Sequence, residues 1–375
     1  MSGPVYLDYN ATAKVRPEAI IAVSDALTRG GNPSSVHAAG RAARGAMETG
    51  RGQIAALVGA GPGNLTFTSG GTEASGIAVA SAVRSGVERI IVGATEHDCV
   101  KCEAADSGLS VEVWPVDASG VADLNWLAER LANGPRALVC LMLANNETGV
   151  IQPVAQVSAL TSAAGAWLHV DAVQAAGKID IDFAALGAET LAISAHKIGG
   201  PQGVGALVSR EGVAVGSRQR GGGQERGKRG GTENGPGIAG FAAAAVAVRR
   251  DLSALQAQAA WRDALAARMA DAGAVVIGAD APRLPQTLCV ATPGFAADIQ
   301  VMNMDLAGVM ISAGSACSSG KVKASAVITA MGHDDLAPFG IRVSGGWGSA
   351  EADWARCGDV WLEALNHHRR RREAA

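Results

Sequence analysis

The sequence predicts an α/β protein: a mostly parallel sheet covered by helices on both faces, followed by a smaller α+β unit. Three observations carry this. Short apolar segments alternate with helical ones from Leu65 to Val208, as in a parallel sheet whose crossovers lie on its faces. The chain has 375 residues, more than one compact core serves, so a large unit and a smaller companion are expected. Beyond a glycine-rich stretch at 210–237 and an alanine-rich helical run, residues from about 273 to 365 mix strands and helices.

Taken in order, the first dozen residues form an extended arm. Helical spacing runs from Arg16 to Thr28 and stops at Gly30-Gly-Asn-Pro33. A second helix, Ala38 to Val58, is broken by Gly59-Ala-Gly-Pro-Gly63. The strand Leu65 to Thr68 turns through Ser69-Gly-Gly-Thr72 into a helix over Glu73 to Ser85. Strands follow at Arg89 to Val92 and Val111 to Pro115, then a helix at Leu124 to Leu131. The apolar strand Ala137 to Leu143 ends in Ala144-Asn-Asn-Glu-Thr148. A helix over Val154 to Ala163 leads to strands at Trp167 to Val170, Leu191 to Ser194 and Val204 to Val208. Residues 210–237 hold too much glycine for a regular element, and a loop of that length is expected to be functional or disordered. One long helix is expected over Gly240 to Ala272, and the charged tail Asn366 to Arg372 is expected to fray.

Composition narrows the function. Hydrophobic residues make up 48% and charged ones 18%, enough apolar matter for a sizeable core. A formal net charge of −3 supplies no global field for nucleic acid or anionic membrane. The start has no basic stretch followed by an apolar run, and the longest apolar stretch, Ile238 to Val248, is well short of the roughly 20 residues a membrane helix needs. The six cysteines follow no framework spacing and read as reduced thiols. A cytoplasmic protein with no nucleic-acid or membrane partner is expected.

In open parallel sheets ligands bind beyond the carboxyl ends of the strands, so polar residues there are the candidates. Asp171 ends one strand, with Gln174 three residues on; an acid there is often a helix cap, but it can also hold a pyridinium nitrogen as the positive partner of an electron sink. Lys197 follows another strand between His196 and Gly199-Gly-Pro. A lone lysine is most often a surface charge, whereas a partly buried one has a lowered pKa and forms Schiff bases. Ser69-Gly-Gly-Thr72 opens a helix with bare backbone N–H groups, a plausible phosphate cup but a common turn. His97 fits ring stacking and proton transfer, or an ordinary loop histidine.

Cys317 sits in Ala313-Gly-Ser-Ala-Cys-Ser-Ser-Gly320, not in an apolar run like Cys140 and Cys289, with Lys321 and Lys323 near enough in sequence to favour a thiolate. Arg342, inside the apolar Gly-Ile-Arg-Val-Ser, wants a carboxylate partner, and a substrate α-carboxylate is a good bidentate match. Cys99 and Cys102 form a Cys-x-x-Cys pair with no second pair to complete a zinc site, and read as incidental.

Together these segments resemble the cysteine desulfurases of the NifS/IscS type, class V aminotransferase-like enzymes of PLP fold type I. The resemblance spans nearly the whole chain through landmarks in order: Tyr6-Leu-Asp-Tyr-Asn-Ala-Thr12, Gly31-Asn-Pro-Ser-Ser35 with His37, Phe67-Thr-Ser-Gly-Gly-Thr-Glu73, Glu96-His97, Asn145-Asn-Glu-Thr-Gly149, His169-Val-Asp-Ala-Val-Gln174, Ser194-Ala-His-Lys197, Gly221-Gly-Gly-Gln-Glu-Arg226 with Gly231-Thr-Glu-Asn234, Ser312-Ala-Gly-Ser-Ala-Cys317 and Ile341-Arg-Val-Ser344. Each is weak alone; the ordered set is specific. The pattern departs at Arg229-Gly-Gly-Thr232, at Ala74-Ser-Gly76 and in the single threonine of Asp8-Tyr-Asn-Ala-Thr-Ala13.

The resemblance implies an arm over 1–15 packed with the small domain, a large pyridoxal-phosphate-binding domain over 16–250 and a small domain over 251–375 with the catalytic cysteine loop. It implies that Lys197 carries pyridoxal 5'-phosphate as a Schiff base, Asp171 pairs with the ring nitrogen, and His97 stacks on the ring. Gln174 and Asn146 reach the phenolic oxygen and its surroundings. Gly71, Thr72, Ser194 and His196 hold the phosphate, and Thr232 reaches the phosphate of the other subunit of a homodimer. Arg342 with Asn32 holds the carboxylate of L-cysteine, and Cys317 takes the sulfur as a persulfide for an acceptor protein such as an iron–sulfur scaffold. No resident metal is implied; the one metal role left open is Cys317 as a transient iron–sulfur ligand. Competing readings are a selenocysteine lyase or another class V aminotransferase-like enzyme and, remotely, a non-catalytic docking subunit.

Overall fold

The structure is a computed structural model that describes residues 3–314 and 324–373. The arm begins with β1 (Val5–Tyr6), followed by α1 (Pro17–Arg29) and α2 (Ala38–Leu57). The alternating region then runs β2 (Leu65–Thr68), α3 (Gly71–Arg84), β3 (Arg89–Gly93), α4 (Asp98–Ala105), β4 (Ser110–Trp114), α5 (Leu124–Ala132), β5 (Ala137–Met142), α6 (Val154–Ala163), β6 (Trp167–Asp171), α7 (Phe183–Leu186), β7 (Thr190–Ser194) and β8 (Gly205–Ser209). After it come α8 (Gly235–Gln256), α9 (Gln258–Asp271), β9 (Val275–Val276), β10 (Thr287–Ala291), α10 (Ala297–Leu306), β11 (Val309–Met310), α11 (Ala326–Ala330), β12 (Gly340–Ser344) and α12 (Glu351–Glu373).

Seven strands form one sheet in the order β2-β8-β7-β6-β5-β3-β4. All pairs from β4 to β7 are parallel, and β8 is antiparallel to both of its neighbours. Six strands therefore point one way and β8 runs against them. The reversal follows from its connection: residues 195–204 are too few for the helical crossover that a parallel partner requires. Central strands are buried along their whole length, as the uninterrupted Ala-Leu-Val-Cys-Leu-Met of β5 requires, whereas edge strand β4 buries only Trp114 and leaves Val111 and Val113 exposed.

Two large apolar cores result. The first packs the sheet against helices and includes Trp114, Leu168, Phe241 and Val248. The second gathers Leu265, Met269, Phe295, Met304, Trp354 and Trp361, together with Val5 and Leu7 of the arm. β1 enters that second region by pairing in parallel with β11.

Two expectations need correction. The single helix over Gly240 to Ala272 is two helices that meet at Ala257. α8 buries Phe241 and Val248 in the first core while α9 buries Leu265 and Met269 in the second, and one straight helix could not face both. The tail does not fray. α12 continues to Glu373 because His368 stacks on Phe295 at 4.7 Å, Arg369 donates to the Ala272 carbonyl and Arg372 to that of Gly294. These arginines also lie at the negative end of the helix dipole. The segment 210–237 lacks long elements as expected, but it is anchored by a buried ion pair between Arg51 and Glu225 at 2.7 Å. Among the described residues no helix is long and apolar enough to cross a membrane.

Candidate active site

Because six strands share a direction, their carboxyl ends meet along one edge of the sheet. A cavity of about 320 Å³ opens there. Gly71 and Thr72 reach it from the turn after β2, His97 from the segment after β3, Asn146 from that after β5, Asp171 and Gln174 from β6, and Ser194, His196 and Lys197 from β7. Arg342 joins from β12, in the second sheet system, and Asn10 and Ala11 from the arm. Nearly every residue expected at the site thus lines one space.

Lys197 donates to the carbonyls of Asn10 at 2.6 Å and Ala11 at 2.9 Å. Burial, and then the Arg342 charge, push its amine down to about 8, against the opposing pull of Asp171 and Asp8. An amine so placed is partly neutral near physiological pH and is a competent nucleophile toward a carbonyl.

Asp171 is buried at the end of β6. Its Oδ1 accepts from the backbone N–H of Val173 at 2.8 Å, and burial raises its pKa. Glu96 lies close by, fully buried, with neither carboxyl oxygen in good hydrogen-bond geometry among the described residues. Burial first and the Asp171 charge second push Glu96 well above the usual carboxylate range.

The N-terminus of α3 is open at Gly71. A Cβ there would meet Val173 Cγ2 at 2.6 Å, so glycine is what lets the helix start approach β6. Ser194 and His196 stand opposite. Burial, followed by the charges of Lys197 and Lys178, drives His196 down to about 4, and its Nδ1 pairs with Thr12 Oγ1 at 3.2 Å. His97 caps α4: its Nδ1 accepts from the Cys99 N–H at 3.1 Å, which leaves the proton of a neutral ring on Nε2.

Arg342 is buried in β12. Nη2 donates to Asp8 Oδ1 at 2.7 Å, Nη1 to the Asn146 carbonyl at 3.1 Å, and Nε lies buried without a partner among the described residues. Its carboxylate partner within the chain, Asp8, escaped the sequence reading, as did the carbonyls of Asn10 and Ala11. The arm's Tyr-Leu-Asp-Tyr-Asn offered no signal beyond the resemblance.

Two expected residues lie elsewhere in the protomer. Asn32 is exposed and its Oδ1 accepts from the Ser34 N–H at 2.9 Å. Thr232 lines a separate cavity of about 210 Å³ beside Leu27 and Met47. Cys317, Lys321 and Lys323 lie outside the described residues, although Gly314, which lines the main cavity, is three positions before Cys317. Cys99 also reaches the cavity, but burial and the nearby Asp171 carboxylate push its thiol up to about 12, and the described residues contain no His, Cys, Asp or Glu cluster able to hold a metal.

The residues present fit pyridoxal phosphate. A depressed amine, a buried carboxylate and a helix N-terminus opened by Gly71 are the three groups its aldehyde, pyridine nitrogen and phosphate call for.

Comparison with known proteins agrees with this geometry. The aminotransferase class-V family model matches residues 5–344. A cysteine desulfurase of Cereibacter sphaeroides is 43% identical over 341 residues, covering 87% of this chain and 86% of that protein. One from Gluconacetobacter diazotrophicus is 40% identical over 369 residues, covering 95% and 92%. The crystal structure of a NifS-like protein from Rickettsia africae superposes with a TM-score of 0.90 at 31% identity, over 97% of this chain and 99% of that one. With its sheet order, its lysine and aspartate at adjacent strand ends and these matches along nearly its full length, the chain belongs to the class-V aminotransferase family and, within it, to the NifS-like cysteine desulfurases.

Proposed function

We propose that the chain takes sulfur from L-cysteine, releasing alanine, with pyridoxal phosphate held on Lys197 and the sulfur passing to Cys317 as a persulfide. The observation that carries the reading is the convergence of the Lys197 amine, lowered to about 8, the buried Asp171 carboxylate and the Arg342 guanidinium on one cavity.

In this reading Asp171 pairs with the ring nitrogen, His97 lies against the ring, and Gln174 and Asn146 serve its phenolic oxygen. Gly71, Thr72, Ser194 and neutral His196 hold the phosphate by hydrogen bonds. When bound, pyridoxal phosphate supplies an electron sink for the pair left at the substrate Cα. Arg342 orients the substrate by exchanging Asp8 for its α-carboxylate. Lys197, with its amine near neutrality, takes and returns a proton at the substrate carbon. The Cys317 thiolate attacks the substrate sulfur: the new S–S bond forms as the C–S bond breaks, and the released pair stays with the carbon, which is protonated to give alanine.

A homodimer with shared sites is part of the proposal. α1 leaves Ile20, Ile21 and Leu27 between 57% and 66% exposed, and the Thr232 cavity adjoins that face rather than the protomer's own cleft. Thr232 is then free to serve the partner's phosphate, and Asn32 to complete a carboxylate site once the dimer forms. The five described cysteines are all free, in keeping with a reducing cytoplasm. A sulfur-acceptor protein, such as an iron–sulfur scaffold, is the proposed recipient.

The test is alanine and sulfide release from L-cysteine by the native chain and by Cys317→Ser. The variant is expected to keep its cofactor absorbance and lose sulfide release. Equal release from both would remove Cys317 from the mechanism.

A further inference from the structure

Lys178 is a buried amine that the mechanism above does not use. It is 5% exposed and has no carboxylate partner among the described residues; its two hydrogen bonds go to neutral amide oxygens, Gln174 Oε1 at 2.6 Å and Asn10 Oδ1 at 3.0 Å. Gly177, in the left-handed region at φ 71°, turns the chain so that Lys178 folds back beneath Gln174. Gln256 at the end of α8 holds the Lys178 carbonyl at 2.9 Å. Lys178 also lines a second cavity, of about 160 Å³, which shares Lys197 with the main one. A fully packed apolar side chain would fill this place without the cost of burying an amine, so packing alone does not explain it.

Its neighbours do. The Asn10 carbonyl accepts from Lys197 Nζ at 2.6 Å and from Gln174 Nε2 at 2.9 Å. The Gln174 carboxamide is thus held at both ends, its nitrogen on Asn10 and its oxygen on Lys178. Turned over, it would set two carbonyl-type oxygens against each other at Asn10 and offer an N–H to an amine already donating. Asn10 is fixed independently, by Ser344 at its N–H and by Asn146 and Thr287 at its side-chain nitrogen. Gln174 has no comparable second anchor for Oε1 among the described residues.

We propose that Lys178 is a positioning residue which, by donating to Gln174 Oε1, fixes the Gln174 amide so that its nitrogen serves the Asn10 carbonyl and the cofactor cavity, and Gln174 thereby shares with Lys197 one of the two carbonyls that hold the Lys197 amine. The assignment of that cavity to pyridoxal phosphate rests on the function proposed above; the amide orientation does not.

The experiment is a double-mutant cycle in the full chain with Lys178→Met, Gln174→Ala and both together. Two readouts are taken: the rate at which Lys197 of the cofactor-free protein is acetylated at pH 8, followed by peptide mass spectrometry, and the dissociation constant of pyridoxal phosphate. With Gln174 released, Lys197 keeps the Asn10 carbonyl to itself, which favours its charged form. Lys178→Met is therefore expected to slow acetylation about threefold and weaken cofactor binding about tenfold, roughly the loss of one hydrogen bond. Gln174→Ala should do the same, and the pair no more than either. Multiplying effects in the double variant, or no effect of Lys178→Met, would overturn the proposal, since a charge or packing role of Lys178 persists without Gln174. Should Lys178→Met fail to fold, judged by its melting curve, Lys178→Gln takes its place in the same cycle; it keeps a donor, so native behaviour supports the proposal and additivity with Gln174→Ala overturns it. A native chain that binds no pyridoxal phosphate would overturn the proposed function instead, and the acetylation cycle would still decide the role of Lys178.

Discussion

The guanidinium of Arg342 is bound to the carboxylate of Asp8 at 2.7 Å, and the arginine's Nε is buried without a partner among the described residues. The arm and β12 thus bring to the cavity an arginine already engaged by an internal carboxylate. On the proposed function, a substrate carboxylate reaching Arg342 would compete with Asp8, whose own side chain is 21% exposed and can swing toward water.

Asp8→Asn should lower the KM for L-cysteine several-fold while changing kcat less, because a neutral amide is a weaker rival for the guanidinium than a carboxylate. Arg342→Ala should raise KM by more than about 100-fold, the loss of a charge-assisted bidentate contact. Steady-state kinetics on L-cysteine measure both. An unchanged KM in Asp8→Asn would show that Arg342 meets the substrate without releasing Asp8.

Lys197 in the cofactor-free protein should be half-labelled by acetic anhydride near pH 8, below the ordinary lysine range. The sign carries over to stability. The folded amine is lowered while the unfolded one is not, so between about 8 and the usual 10.5 the unfolded chain binds more protons. Stability from this group therefore rises with pH across that window. Lys197→Met should flatten the rise in chemical-denaturation midpoints, and Lys197→Ala should remove the near-visible absorbance of added pyridoxal phosphate. A labelling midpoint near 10.5 would contradict the burial argument.

Gly71→Ala places a methyl group 2.6 Å from Val173 Cγ2. The clash should cost about 1–3 kcal/mol, as overpacking does, and weaken pyridoxal phosphate by roughly tenfold or more as the helix start is displaced. Adding Val173→Ala should restore much of the affinity by giving the methyl room. Equilibrium binding of the cofactor to the three variants checks this; failure of the second change to rescue would separate the anion cup from the packing of Val173.

Arg51 and Glu225 form an ion pair whose side chains are only 4% and 1% exposed, and Glu225 also accepts from the Phe67 N–H at 2.8 Å. Glu225→Ala leaves the guanidinium with Glu48, at 3.0 Å on its exposed side, and the Leu65 carbonyl, but opens a buried gap and frees the Phe67 N–H, at a cost of about 1–3 kcal/mol. The melting temperature should fall by several degrees, and limited proteolysis should move into 210–237. A melting curve like that of the native chain would mean that the segment is held by other contacts.

Much of this site was legible before folding because its residues sit at strand ends. An apolar run that stops at Asp171 or at Ser194-Ala-His-Lys197 marks the carboxyl edge of a parallel sheet, where the fold leaves space for a ligand. Local pattern therefore placed the lysine, the aspartate, the glycine turn and the histidine. The ordered motifs gave each of them an expected role.

What the sequence by itself determined is this set of strand ends and the family. Only the tertiary structure decided that Asp8 holds Arg342, 334 residues away in sequence, that one Asn10 carbonyl serves both Lys197 and Gln174, and that a buried amine at Lys178 stands behind them. It also decided that β8 runs backward, that the long helix breaks at Ala257 and that the arginine tail stays helical. The reason is common to all of these. Periodicity reports which face of a segment meets a core, but the partner of a polar group, or the core that a helix end must reach, is set by contacts between segments distant in the chain.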